Sequence, residues 1–165
     1  MMCLVSRTGR ELQRYDMGRR LVVGCIPYRY KNENGEVEVL VISSQKGHAM
    51  MFPKGGWELD ESVEEAALRE CFEEAGVVGV VEVCIYTRNW SFKSKSQGIY
   101  HEGHMFPMLV AEQLEFWPEK NLRQRVWMKV EEAREVCQSW WMKEALDVFV
   151  ERLASQTLTK QDFLN

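Results

Sequence analysis

From Arg20 onward the chain alternates between runs that read as strand and short polar breaks. RLVVGCIPYRY, KNENGE and VEVLVISS place two β-rich segments around an Asn-Gly pair, which predicts a hairpin. Between residues 45 and 61 the pattern lapses around Pro53 and Gly55-Gly56, and a loop is expected. A helix is predicted from Val63 to Ala75, with Ser62 as N-cap, Glu65 as its capping-box partner and Gly76 as the C-terminal stop. Beyond it, VVGVVEVCIYTRNW reads as strand, RNWSFKSKSQG as loop, YHEGHMFPMLVAEQL as a long strand and RQRVWMKV as another. Two helices are expected at residues 131–137 and 140–154, followed by a polar, frayed QTLTKQDFLN. Mixed strands with helices on both faces imply an α/β fold, an α/β/α sandwich with a mixed central sheet. The expected layout is a basic arm at 1–19, one domain at 20–155 and a polar tail at 156–165.

The helix holds a chemical anomaly. Six glutamates fall between Glu61 and Glu74, although like charges one turn apart repel by about 0.2–0.5 kcal/mol. On a helical wheel Glu70, Glu73 and Glu74 share one arc with Val63, Ala66 and Ala67, while Leu68, Cys71, Phe72 and Ala75 form a separate apolar stripe. Glu64 and Glu65 fit a solvated surface. The trio does not, because carboxylates on a semi-buried arc raise one another's pKa unless a cation neutralises them. Hard divalent cations such as Mg²⁺ take oxygen ligands of this kind. Arg69 beside the trio can orient a carboxylate through its planar fork, or make an ordinary surface pair with Glu65 or Glu73. Pro53-Lys54-Gly55-Gly56 offers backbone N–H groups and one ammonium to a phosphate chain, although such a turn is weak as an isolated signal.

Composition narrows the field. With 165 residues and 45% apolar content the chain suits one domain with a proper core. Neither a membrane span nor a secretory signal is legible, so a cytoplasmic or nuclear protein is expected in preference to a mitochondrial one. Five scattered cysteines without a C-x-x-C pair argue for reduced thiols and against a disulfide framework or zinc site. A net charge of -4 gives no general attraction for nucleic acid. Local clusters (Arg7, Arg10, Arg14, Arg19 and Arg20; Arg88, Lys93 and Lys95) suit a compact polyanion.

The stretch from Gly55 to Val77 resembles the Nudix box, G-x5-E-x7-R-E-U-x-E-E-x-G-U with U apolar. It supplies Gly55, Glu61, Arg69, Glu70, Glu73, Glu74 and Gly76 at the fixed positions, with Cys71 at a usually aliphatic one. The resemblance implies the Nudix sandwich and hydrolysis of a diphosphate with Mg²⁺ or Mn²⁺. Carried over by position, Glu70 and Glu74 are the principal metal ligands, Glu73 ligates a further ion or activates the attacking water, and Arg69 orients the glutamates. Gly55 permits close approach of the loop. Residues 11–150 further resemble the plant-type diphosphoinositol polyphosphate and diadenosine polyphosphate hydrolases, whose small polyanionic substrates are held by basic and hydroxyl side chains. The corresponding candidates are Arg14, Arg20, Ser43, Ser44, Lys46, Lys54, Gly55, Gly56, Arg88, Lys93, Lys95 and Arg125.

Other features carry less. His101 and His104 on a strand face opposite ways and do not form a metal pair. Trp140, Trp141 and Phe149 read as core of the closing helix. Competing functions are hydrolysis of ADP-ribose, NADH or an mRNA cap, and a non-catalytic domain that binds inositol phosphate or nucleotide.

Overall fold

The computed structural model describes residues 5–82, 89–93 and 98–164, with residues 157–164 described as helix backbone. The strands are β1 (Tyr15–Asp16), β2 (Arg19–Tyr30), β3 (Val37–Ser43), β4 (Met50–Met51), β5 (Lys54–Gly56), β6 (Val77–Val81), β7 (Trp90–Lys93), β8 (Tyr100–Gln113) and β9 (Arg125–Lys129). The helices are α1 (Val63–Ala75), α2 (Val130–Val136) and α3 (Trp140–Leu164). Nine described strands form one mixed sheet with the central order β4-β3-β2-β8-β6. β2 is its spine. It runs parallel to β8 from Arg20↔His101 to Tyr28↔Leu109, and antiparallel to β3 at its end and to β5 at Val22–Gly24.

Alternation along the central strands sorts side chains to two cores. Val23 and Cys25 of β2, Leu40 and Ile42 of β3, and Phe106 and Met108 of β8 pack against Ala66, Ala67, Cys71 and Ala75 of α1. Their sheet neighbours Ile26, Tyr28, Val39, Val41 and Met105 pack on the other face against Ala133 of α2 and Trp141, Met142, Ala145, Leu146 and Phe149 of α3. A sheet covered on both faces reads as continuous apolar runs, as these strands do. The α/β/α sandwich is thus present.

The hairpin and α1 match expectation, including the reciprocal capping box of Ser62 and Glu65 and left-handed Gly76 at φ 64°. The loop expected at residues 45–61 instead contains β4 and β5, and WSFK within the next expected loop is strand β7, paired with β8. These strands are too short to show a period. The closing helix runs on to Leu164, so helical backbone replaces the expected frayed tail. The buried stripe of α1 passes through Ala66, Ala67, Cys71 and Ala75, whereas Leu68 and Phe72 are only half-buried. Cys25, Cys71 and Cys137 are buried free thiols; Cys3 and Cys84 lie outside the described residues.

Candidate active site

The short apolar side of α1 sits close against the sheet and carries the neighbouring carboxylates inward. Glu70, Glu73 and Glu74 retain 6%, 5% and 7% of their exposure. β5 passes directly over them. A Cβ on Gly55 would lie 2.2 Å from Oε1 of Glu70, so only glycine leaves that carboxylate its place. Close approach is therefore required here, but by Glu70; a Cβ on Gly56 would similarly meet the Gln13 amide at 1.8 Å. The Lys54 N–H donates to Oε2 of Glu74 at 3.0 Å.

Arg69 organises the group. Its Nε and Nη2 donate to the two oxygens of buried Glu61 at 2.9 and 2.7 Å, and Nη1 donates to Glu70 at 2.8 Å and Glu73 at 3.1 Å. Nη2 also reaches the Gly56 carbonyl at 2.9 Å. A guanidinium committed to a bidentate pair cannot swing, which makes it a fixed post for its other partners. The surface pair with Glu65 is not formed; Glu65 is occupied by the capping box.

The balance of charge still favours protons. Burial first, then Glu74, pushes Glu70 up to about 8 against the pull of Arg69. Burial pushes Glu74 up to about 7 despite Arg123 and Lys54. Glu73 is raised by burial although the Arg7 amide and Arg69 oppose it. Glu58 and Glu119, both buried, face the same cavity of about 720 Å³. This excess of oxygen donors over cations, with the Gly55 cradle above Glu70, fits a hard divalent cation. Among the described residues, however, no three His, Cys, Asp or Glu side chains converge on one point in this conformation. The carboxylates are instead turned onto arginines and amide groups.

Several cavity residues carry no sequence signal. Arg123, on the loop before β9, donates to Glu74 at 3.2 Å, Glu119 at 2.9 Å and the Ser43 carbonyl at 3.0 Å. Glu119 is placed by its own N–H on the Glu73 carbonyl at 3.0 Å. Ser6 and Arg7 reach the same cavity from the N-terminal segment. Tertiary folding unites these positions; of the residues around the trio, Glu61 was legible only as a fixed position of the box and Arg7 only as part of a basic cluster.

Of the substrate-binding candidates, Arg20, Gly55 and Gly56 line the cavity. Arg20 and Gly55 also border a second cleft of about 380 Å³ with Lys54, Lys93 and His101. Three others are spent on the fold. Arg14 donates to the carbonyls of Glu58, Leu59 and Glu61 and lies 4.6 Å from the Trp57 ring. Arg125 caps α1 through the Ala75 and Gly76 carbonyls, bonds Leu114 and stacks 3.9 Å from Trp117. Ser43 is buried and accepts from the Gln124 N–H at 2.9 Å. Ser44 shapes a tight turn by accepting from the Ala49 N–H, and exposed Lys46 is on that turn, beyond the residues lining either cavity. Arg88 and Lys95 lie outside the described residues. Trp140, expected in the core, is 53% exposed and borders the second cleft, while Trp141 and Phe149 are buried. His101 contacts Phe92 and His104 contacts Trp57, on opposite sides of the sheet, so they form no pair.

The NUDIX domain profile matches residues 18–153. The chain belongs to the Nudix hydrolase family. It is 70% identical over 160 residues to Nudix hydrolase 17, mitochondrial, of Arabidopsis thaliana, covering 94% of this chain and 87% of the relative. Over 163 residues it is 68% identical to Nudix hydrolase 18, mitochondrial, of the same plant, covering 96% and 92%. Those two names overturn the expectation of a cytoplasmic or nuclear protein, which rested on the lack of a legible leader. Among solved structures, a C. elegans Ap4A hydrolase in a binary complex superposes with TM-score 0.64 at 20% identity, covering 82% of this Nudix chain and 98% of that one. At that identity the likeness concerns the fold.

Proposed function

We propose that this Nudix hydrolase uses water to cleave a phosphoanhydride bond in a small, highly anionic substrate, of the inositol pyrophosphate or diadenosine polyphosphate class. The observation that carries the reading is the buried trio of Glu70, Glu73 and Glu74 beside Gly55, with Glu70 and Glu73 held by Arg69 and Glu74 by Arg123 and the Lys54 amide. Glu70 and Glu74, with Glu73, would hold Mg²⁺ or Mn²⁺, which when bound supplies charge neutralisation at the phosphate oxygens and acidifies water. Glu73 takes the proton from the attacking water as the P–O anhydride bond breaks and the phosphate leaving group departs. Arg69 holds Oε2 of Glu73; Oε1, which accepts the Arg7 N–H at 2.9 Å in this structure, is the proton acceptor once that amide is displaced. Arg20, Lys54 and Lys93 receive the non-reacting anionic part of the substrate across the second cleft.

One observation favours the dinucleotide branch. Phe92 stacks on Trp141 at 4.7 Å and 7°, and with exposed Trp140 gives the second cleft an aromatic wall on which a nucleobase can lie. We assign the chain to mitochondria on the strength of the two relatives carrying that name.

The decisive experiment is turnover of inositol pyrophosphates, diadenosine polyphosphates, ADP-ribose and NADH with Mg²⁺, with products resolved, in wild type and Lys54→Gln/Lys93→Gln. Remote binding energy is read in kcat/KM, so the double variant should lose about tenfold or more on the most anionic substrates and little on ADP-ribose. Faster turnover of ADP-ribose or NADH than of any polyphosphate, with a uniform effect of the variant, would remove the substrate assignment.

A further inference from the structure

The cavity over the glutamates is roofed by the chain's own N-terminal segment. Residues 10–14 are anchored: the Arg14 N–H donates to Trp57 at 2.8 Å, Leu59 donates to Leu12 at 2.7 Å, and Gln13 bridges Glu58. Ahead of them Gly9 stands at φ +86° with open space where a Cβ would be. Beyond this pivot the chain turns back across the site. The Ser6 hydroxyl donates to Oε2 of Glu119 at 2.7 Å and the Arg7 N–H to Oε1 of Glu73 at 2.9 Å. The Arg7 guanidinium pairs with Glu58, and with Asp60 at 2.9 Å.

These contacts share one chemistry: each sets a donor or a cation on an acidic side chain at or beside the cavity. Packing beneath the segment is thin, since cavities of about 820, 720 and 380 Å³ all border Arg7 and Thr8. A segment held by polar contacts over empty space, on a glycine pivot, opens at small cost. Its position also explains why both oxygens of Glu73 are engaged, one by Arg69 and one by Arg7.

We propose that residues 5–9 form a hinged strap that competes with a divalent cation for the cavity carboxylates, closing on Glu73, Glu119 and Glu58 when the cation is absent and swinging away at Gly9 when it binds. The inference rests on the reading of the glutamate trio as a metal site and adds a gate to it. Linkage fixes the sign: apparent affinity falls by the fraction of molecules already open. Loosening the strap therefore tightens metal binding.

The test uses the full chain and Mn²⁺ alone. Titration calorimetry compares wild type, Ser6→Ala/Arg7→Gln and Arg7→Lys; trypsin cleavage after Arg7 in wild type is followed with and without Mn²⁺. If roughly 80–90% of apo molecules are closed, the double variant binds Mn²⁺ about five- to tenfold more tightly. Arg7→Lys stays near wild type, and Mn²⁺ accelerates cleavage of the wild-type strap. Equal or weaker Mn²⁺ binding by the double variant, or Mn²⁺ that protects or leaves unchanged cleavage after Arg7, overturns the strap. Absence of Mn²⁺ binding in every protein overturns the metal site beneath it as well.

Discussion

Arg123→Met removes the cation that faces Glu74 and Glu119 while keeping most of the side-chain volume. The ion pairs are well shielded, with 8% side-chain exposure at Arg123 and 9% at each partner. Breaking a buried pair from one side costs about 3–5 kcal/mol. For a chain of this size each kcal/mol shifts Tm by about 2–4 °C, so a loss near the low end lowers Tm by roughly 6–12 °C. The loss depends on pH. Folded Glu74 titrates at about 7 against 4.5 for the free side chain, so the folded state holds a proton that the unfolded chain has released. Such a group reduces stability as pH rises through that window, and above it the penalty is constant. Without Arg123 the folded value climbs further and the window extends upward, so the deficit relative to wild type grows between pH 6 and pH 8. Calorimetric melting in EDTA at both pH values measures this, and a repeat with excess Mg²⁺ should recover part of the loss. A Tm within about 2 °C of wild type at pH 8, or equal deficits at both pH values, would refute the charge balance argued for the cavity.

Glu73→Gln removes a base but little volume and should cut kcat by about 10² to 10⁴ with Tm within a few degrees of wild type; turnover within threefold of wild type would remove the assigned role. Gly55→Ala, whose backbone φ is not left-handed, should displace the Glu70 carboxylate, abolish metal-induced stabilisation in a melting assay and lower activity by a similar factor; an unchanged metal response would show that Glu70 needs no such cradle. Arg125→Met should cost about 2–3 kcal/mol of stability, through lost caps on α1, and leave kcat unchanged; a selective loss of kcat in a variant that melts normally would return Arg125 to the substrate site.

What was legible in the sequence was local. Ser62, Glu65 and Gly76 mark α1 because caps act across one turn, and the trio with Arg69 is legible because helical spacing places it on one face. Arg123 and Glu119 pair with each other four residues apart, but their place at the site was not legible, since Glu74, Gln45 and Ser6 lie far along the chain and no spacing records that. Arg14, Ser43 and Arg125 show the converse: residue type suggests a phosphate ligand, whereas the structure engages their donors and acceptors with backbone groups of other segments, which no local pattern records. Lys54 and Lys93 make no such backbone commitment through their ammonium groups among the described contacts, and both remain at a cleft.

The parallel pairing of β2 with β8 bears on the order in which the molecule can assemble. The partners of Arg20 through Tyr28 are His101 through Leu109, while β3 secures Tyr28–Tyr30 and β5 secures Val22–Gly24. A growing polypeptide that has already emerged through α1 still lacks the neighbour that fixes β2, the strand beneath Gly55. Distant pairings of this kind slow folding, because loop closure must precede its reward. During that delay the run from Leu21 to Ile26, fully buried in the finished sheet, is an open apolar edge able to pair with another copy. Yield on refolding should therefore fall with protein concentration, and holdase chaperones that cover β2 until β8 arrives should restore it.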